Sequence, residues 1–93
     1  MTDVSTVIPG LQFLRYVMEN LVEEKDALII DGTIDDQGVL LTVQVSAKDM
    51  GKLIGKGGQT VKALRILLRI IGGTSNQRIN LKVLEPTFAP NQS

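Results

Sequence analysis

Apolar and polar residues alternate along this chain with two distinct periods. Leu11, Leu14, Met18 and Leu21 recur at helical spacing, with Val17 and Val22 widening the stripe and Glu19, Glu23 and Glu24 on the far side. This predicts a helix over about residues 9–24, with Pro9 at its first position, where a missing N–H costs nothing. The period then shortens to two. Leu28, Ile30 and Ile34 alternate through a strand over 27–34. Val39, Leu41, Val43 and Val45 alternate with Leu40, Thr42 and Gln44 through a second strand over 39–45. Asp35-Asp36-Gln37-Gly38 between them is turn chemistry, so the pair reads as a hairpin.

A helical period returns after the hairpin. Ser46 followed by Asp49 resembles an S-x-x-D capping box opening a short helix over 47–54. Gly55–Gly58 interrupts the helical path, and a second helix is expected over 59–71, stopped by Gly72-Gly73. Ile79, Leu81 and Val83 then mark a last strand over 78–84, facing inward. Residues 1–8 and 86–93 have no clear period and read as tails around one domain over 9–85. The order is helix, strand, strand, helix, helix, strand, an α+β arrangement with a three-stranded sheet packed on helices. No internal repeat or low-complexity segment is present.

The apolar arc of the second helix is wider than a small core requires. Val61, Leu64, Leu67, Leu68 and Ile71, together with Ala63, Ile66 and Ile70, cover more than half of its circumference, whereas a surface helix presents a stripe of roughly 100° or somewhat more. Ile66 and Ile70 are therefore expected to remain exposed as a protein-contact patch.

Composition narrows the function classes. With 93 residues, 43% of them hydrophobic and 22% charged, the chain suits one small folded domain. No run approaches the ~20 apolar residues of a membrane span, and no secretory pattern opens the chain, so a cytoplasmic location is expected. Cysteine and histidine are both absent. This removes disulfides, thiolate chemistry, the commonest general base and the commonest metal ligand. No carboxylate spacing suggests a catalytic constellation, and Asp35-Asp36 reads as turn rather than metal site. The chain is read as a non-enzyme, with no catalytic residue, metal or cofactor.

The formal net charge of zero conceals a division. Residues 1–36 carry eight acids against two bases, and residues 37–93 carry eight bases against two acids. Such asymmetry points to a polyanionic partner for the basic half. The basic half also contains the most distinctive run, Met50-Gly51-Lys52-Leu53-Ile54-Gly55-Lys56-Gly57-Gly58-Gln59-Thr60-Val61. Glycines let a ligand approach the backbone closely, and unpaired amides at the start of the following helix favour an anion. Gly51–Gly57 does not match a nucleotide-binding P-loop: only three residues separate Gly51 from Gly55, and Gly57 follows Lys56 where Ser or Thr is required. Lys62, Arg65 and Arg69 share one arc of the second helix and extend the positive charge away from the glycines.

Ile54-Gly55-Lys56-Gly57-Gly58-Gln59-Thr60-Val61 matches the KH-domain signature of an apolar residue, G-x-x-G, two residues and another apolar residue. With the order of elements, the chain resembles a type II KH domain. Over about residues 9–85 it is similar to the small single-domain bacterial KH proteins of the KhpA family, including the Asp49-Met50-Gly51-Lys52 lead-in. Gly57 is a departure that adds flexibility in the variable part of the loop. The resemblance implies single-stranded RNA as ligand, its backbone clamped over about four nucleotides. It also implies self-association, and pairing with a larger KH protein of the KhpB type.

On this reading the RNA-binding residues are Lys52, Leu53, Ile54, Gly55, Lys56, Gly57, Gly58, Lys62 and Arg65. Base contacts are expected to be apolar, from Met50, Leu53 and Ile54 with Val43 or Val45, and Leu53 is expected to serve both core and groove. Phe13, Tyr16 and Phe88 lie outside the loop region, which argues against aromatic stacking platforms. Two function classes remain open. One is an RNA-binding module acting as a post-transcriptional regulator or RNA chaperone. The other is an interaction protein that dimerises or docks on a second KH protein, with little RNA binding of its own.

Overall fold

The computed structural model describes residues 8–84. Helix α1 spans Leu11–Leu21, strand β1 Ile29–Asp35, strand β2 Gly38–Gln44, helix α2 Ala47–Ser75 and strand β3 Ile79–Leu84; a single 3-10 turn covers Lys25–Ala27. The sheet order is β1-β2-β3, with β2 antiparallel to β1 and parallel to β3. The α+β class, the order of elements and the hairpin agree with the sequence pattern. The expected tails fall on undescribed residues except for Ile8, which is buried in the core.

All four alternating residues Val39, Leu41, Val43 and Val45 are buried. They meet Leu11, Leu14 and Met18 of α1, Leu53, Leu64 and Leu68 of α2, and Leu81 of β3 in one cluster. Central placement explains the clean alternation of β2: both neighbours shield its inner face. On β1 the alternation fades. Ile30 is half-buried, but Ile34 is 42% exposed because it lies at the hairpin end of an edge strand. Between them, Gly32 replaces a side chain with room for Leu41 and Ile8.

The turn follows its sequence closely. Asp35 Oδ1 accepts the Gln37 amide at 2.8 Å, an Asx turn. Gly38 has φ 127°, and any Cβ there would collide with the Arg78 carbonyl, which accepts the Val39 amide at 2.6 Å. The hairpin is thereby seated against the entry to β3.

Three boundaries differ from expectation. First, α1 ends at Leu21, not 24. Val22 turns extended and is buried, and the next two amides, of Glu23 and Glu24, donate to Asp49 Oδ1 and Oδ2, each at 2.9 Å. The helix stops early because a carboxylate from a distant segment collects those amides.

Second, Pro9 does not open α1. Gly10 caps it with φ 86°, and Leu14 donates to the Gly10 carbonyl at 2.9 Å. Third, α2 runs through Gly72 and Gly73 and stops at Asn76, whose φ of 58° is left-handed. Gln77 N–H donates to Gly72 O at 2.8 Å and Asn76 N–H to Gly73 O at 3.3 Å, the bond pair of a Schellman motif. Asparagine tolerates the left-handed state that the glycines were expected to supply.

Candidate nucleic-acid interface

Both expected helices of the basic half lie within α2, and the break between them is tighter than four residues. Helical structure continues through Gly55, while Gly57 and Gly58 have φ 74° and 73°. Two successive left-handed residues cannot continue a right-handed helix, so they divide α2 into an N-terminal and a C-terminal arm. A Cβ built at Gly51, Gly55, Gly57 or Gly58 would meet nothing within 4 Å. The tip is open space, and no side chain of the described residues plugs it.

The N-terminal arm is fixed by Asp49, a role that spacing alone does not reveal. Ser46 Oγ accepts the Asp49 amide at 3.1 Å, the forward half of the expected capping box. The return half is missing: the fully buried Asp49 carboxylate instead takes the Glu23 and Glu24 amides, and Ser46 Oγ donates to it at 3.3 Å. The amides of Glu23 and Glu24 hold the Asp49 carboxyl below its ordinary pKa, against the opposing effect of burial. Glu23 in turn pairs with Lys48 at 3.0 Å and Lys52 at 3.1 Å. Hydrogen bonds from Lys48 and then Lys52 lower the Glu23 pKa, and the same pair raises that of Lys48.

Lys52 is consequently engaged. Its Nζ also donates to Leu21 O at 3.1 Å and lies 3.6 Å from Asp49 Oδ1. Of the two apolar residues before the break, Leu53 is 1% exposed and Ile54 54% exposed. The structure thus assigns Leu53 to the core and Ile54 to the surface. Met50, Val43 and Val45, expected as groove candidates, are buried as well.

A groove opens between the C-terminal arm of α2 and the free margin of β3. Beside the break it is lined by Ile54, Gly57, Gly58, Val61, Lys62 and Arg65 from α2 and by Leu81, Lys82 and Val83 from β3, enclosing about 340 Å³. Farther along, Arg65, Arg69, Gly73 and residues 77–81 enclose about 540 Å³. Gly58, Lys62, Arg65, Arg69 and Gly73 follow one another at three- and four-residue steps, so a single helix face forms this wall. The sheet edge is supplied by β3 and not by β2, because β2 is the central strand.

Sequence reasoning therefore missed Arg78, Leu81, Lys82 and Val83 as lining residues. The signal available was the parallel β2–β3 pairing implied by a helix between the two strands, which makes β3 an edge. Behind this wall Ile66 and Ile70, the two positions expected to be exposed, are 54% and 61% exposed, and Leu67, which was not expected, is 46% exposed. Among the described residues no group of three or more acidic, histidine or cysteine side chains is placed to hold a metal. Among the described residues no helix is long and apolar enough to cross a membrane.

The family described as "KhpA/KhpB, KH domain" matches residues 11–83. The RNA-binding protein KhpA of Chlamydia pneumoniae is 34% identical over 74 residues, covering 80% of this chain and 95% of its own. The proteins of the same name from Listeria monocytogenes (30% over 74 residues, 80% and 97%) and Borreliella burgdorferi (27% over 75 residues, 81% and 92%) are also similar.

Proposed function

We propose that the chain, which belongs to the KhpA/KhpB family of KH domains, holds single-stranded RNA along the groove between α2 and β3. The observation that carries this reading is the open glycine tip leading directly into a groove with basic and apolar walls. Side-chain-free backbone at Gly55, Gly57 and Gly58 admits a phosphate to the amides that begin the C-terminal arm. Lys62, and Lys56 by its place in the sequence, supply cations at that end. Ile54 and Val83 offer apolar surface to unstacked bases. Lys52, occupied by Glu23 and Leu21 O, serves as a second-line cation.

A clamp of about four nucleotides without catalytic groups suits a post-transcriptional regulator or RNA chaperone of the cytoplasm. The exposed Ile66, Leu67 and Ile70 favour a concurrent protein contact, either a second copy or a larger KhpB-like KH protein. A partner seated there adjoins the groove, since Ile66 lies next to the Lys62–Arg69 face on the same helix.

Two variants separate RNA binding from association. K56E/K62E reverses charge at the tip and leaves Gly57 and Gly58 in place, avoiding strain at their left-handed φ. It is expected to lower affinity for a short single-stranded RNA more than tenfold by fluorescence anisotropy, with sedimentation unchanged. I70D is expected to reduce self-association with thermal stability retained. RNA affinity unmoved by K56E/K62E refutes the clamp and leaves the interaction module as the function.

A further inference from the structure

Arg65 stands where the two halves of the groove meet and lines both. Its Nε and Nη2 donate to the main-chain oxygen of Leu81 at 3.4 and 3.2 Å. Along β3 the backbone groups point alternately toward β2 and away from it. Arg78 O is turned to β2, where it accepts the Val39 amide, so the groups of residues 79, 81 and 83 face the open margin. Arg65 thus covers the central acceptor of the groove wall. Two N–H groups on one oxygen brace the planar guanidinium against the strand. The three remaining N–H donors have no carboxylate partner among the described residues.

Resting on the RNA-binding reading above, we infer that Arg65 is a base-reading residue that selects guanine at the nucleotide reaching the middle of the groove. The surroundings favour a base over a phosphate here: Ile54 and Val83 flank the site, and the open glycine tip lies at the groove's end. A braced guanidinium presents fixed donors, which match the paired O6 and N7 acceptors of guanine. The Leu81 carbonyl, which would accept an exocyclic amino hydrogen of adenine or cytosine, is already taken. Donors offered and acceptor withdrawn bias the choice in the same direction. Arg65 accordingly differs from Lys62 and Arg69 on the same helix face, whose part is to meet phosphates.

The test uses four labelled RNA pentamers, UUXUU with X as G, A, C or U, and the full chain as wild type, R65Q and R65K. Affinities are read by anisotropy at several salt concentrations. Wild type is expected to bind the guanine pentamer about tenfold more tightly than those with adenine or cytosine, in line with a bidentate contact. R65K keeps the charge but loses the fork. It is expected to bring all four within about twofold while the salt dependence stays as in wild type, and R65Q to lose the same discrimination.

Equal wild-type affinities overturn the inference. So does uniform weakening by R65Q with a salt slope reduced by about 0.7, the mark of a lost phosphate contact; RNA binding by the groove would survive either result. Failure of folded wild type to bind any pentamer removes the RNA-binding reading itself, and this inference with it.

Discussion

The two adjacent glycines near the end of α2 predict opposite responses to the same substitution. A Cβ at Gly73 meets nothing within 4 Å, whereas at Gly72 it collides with the Gln77 carbonyl and lies 3.2 Å from Ile79 Cγ1. Both residues are helical, so alanine gains about 0.8–1 kcal/mol of helix propensity at either site. At Gly73 that gain is unopposed. At Gly72 the obstacle is backbone, held by the Gln77–Gly72 bond of 2.8 Å, and overpacking of this kind costs roughly 1–3 kcal/mol. Taking the upper part of that range leaves a net loss of about 2 kcal/mol. For a domain of this size, 1 kcal/mol shifts Tm by about 4–8 °C. G73A is therefore expected to melt about 4 °C higher than wild type and G72A about 10 °C lower, by circular dichroism. The turn after Gly72 also carries Arg78 and the start of β3 into the groove, so G72A should weaken RNA binding more than its stability loss alone explains. If both variants shift Tm in the same direction, the close approach at Gly72 is refuted.

The remaining predictions concern the core, the groove and titration. L53A is expected to lose about 2–5 kcal/mol in urea unfolding. I54A should change stability by less than about 0.5 kcal/mol and weaken RNA binding instead; equal effects of the two would contradict their assignment to core and groove. A clamp on about four phosphates predicts a slope of log K against log salt near −2.8, or roughly a 50-fold loss between 50 and 200 mM KCl, and a slope shallower than about −1 argues against phosphate contact. Glu23 and Asp49 have pKa values lowered from 4.5 and 3.8. Their contribution to stability is complete above about pH 5 and is lost as pH falls through the depressed values. Chemical denaturation from pH 6 to pH 2 should show that decline for wild type and a shallower one for D49N. Equal pH profiles would show that Asp49 does not link the segments.

Periodicity made most of the architecture legible, because each strand and helix buries one face and the residues record which. Val39 to Val45 could be read in full since a central strand has neighbours on both sides, while alternation alone did not fix whether Ile34 is covered, because burial at an edge depends on what lies over it. Helix ends were harder to read. The end of α1 is set by Asp49, 25 or more residues away, and the end of α2 by Asn76, with the two glycines absorbed into the helix. In the groove, the glycine motif and the basic arc of α2 could be located from spacing. The β3 wall could not, since strand order had first to be known, nor could the bond from Arg65 to Leu81 O. Leu53 and Ile54 are adjacent and chemically alike, and only the packed fold assigns one to the core and the other to the surface.

Leu53 and Val61, both buried, bolt the chain on either side of the glycine tip, and nothing between them contributes a buried side chain among the described residues. The tip is therefore mechanically independent of the scaffold, like an interchangeable tool head on a fixed handle. Its length and charge can be altered, or a foreign tip transplanted, with little penalty to the rest of the molecule. Evolution or a designer can retune what this surface grips without rebuilding what supports it.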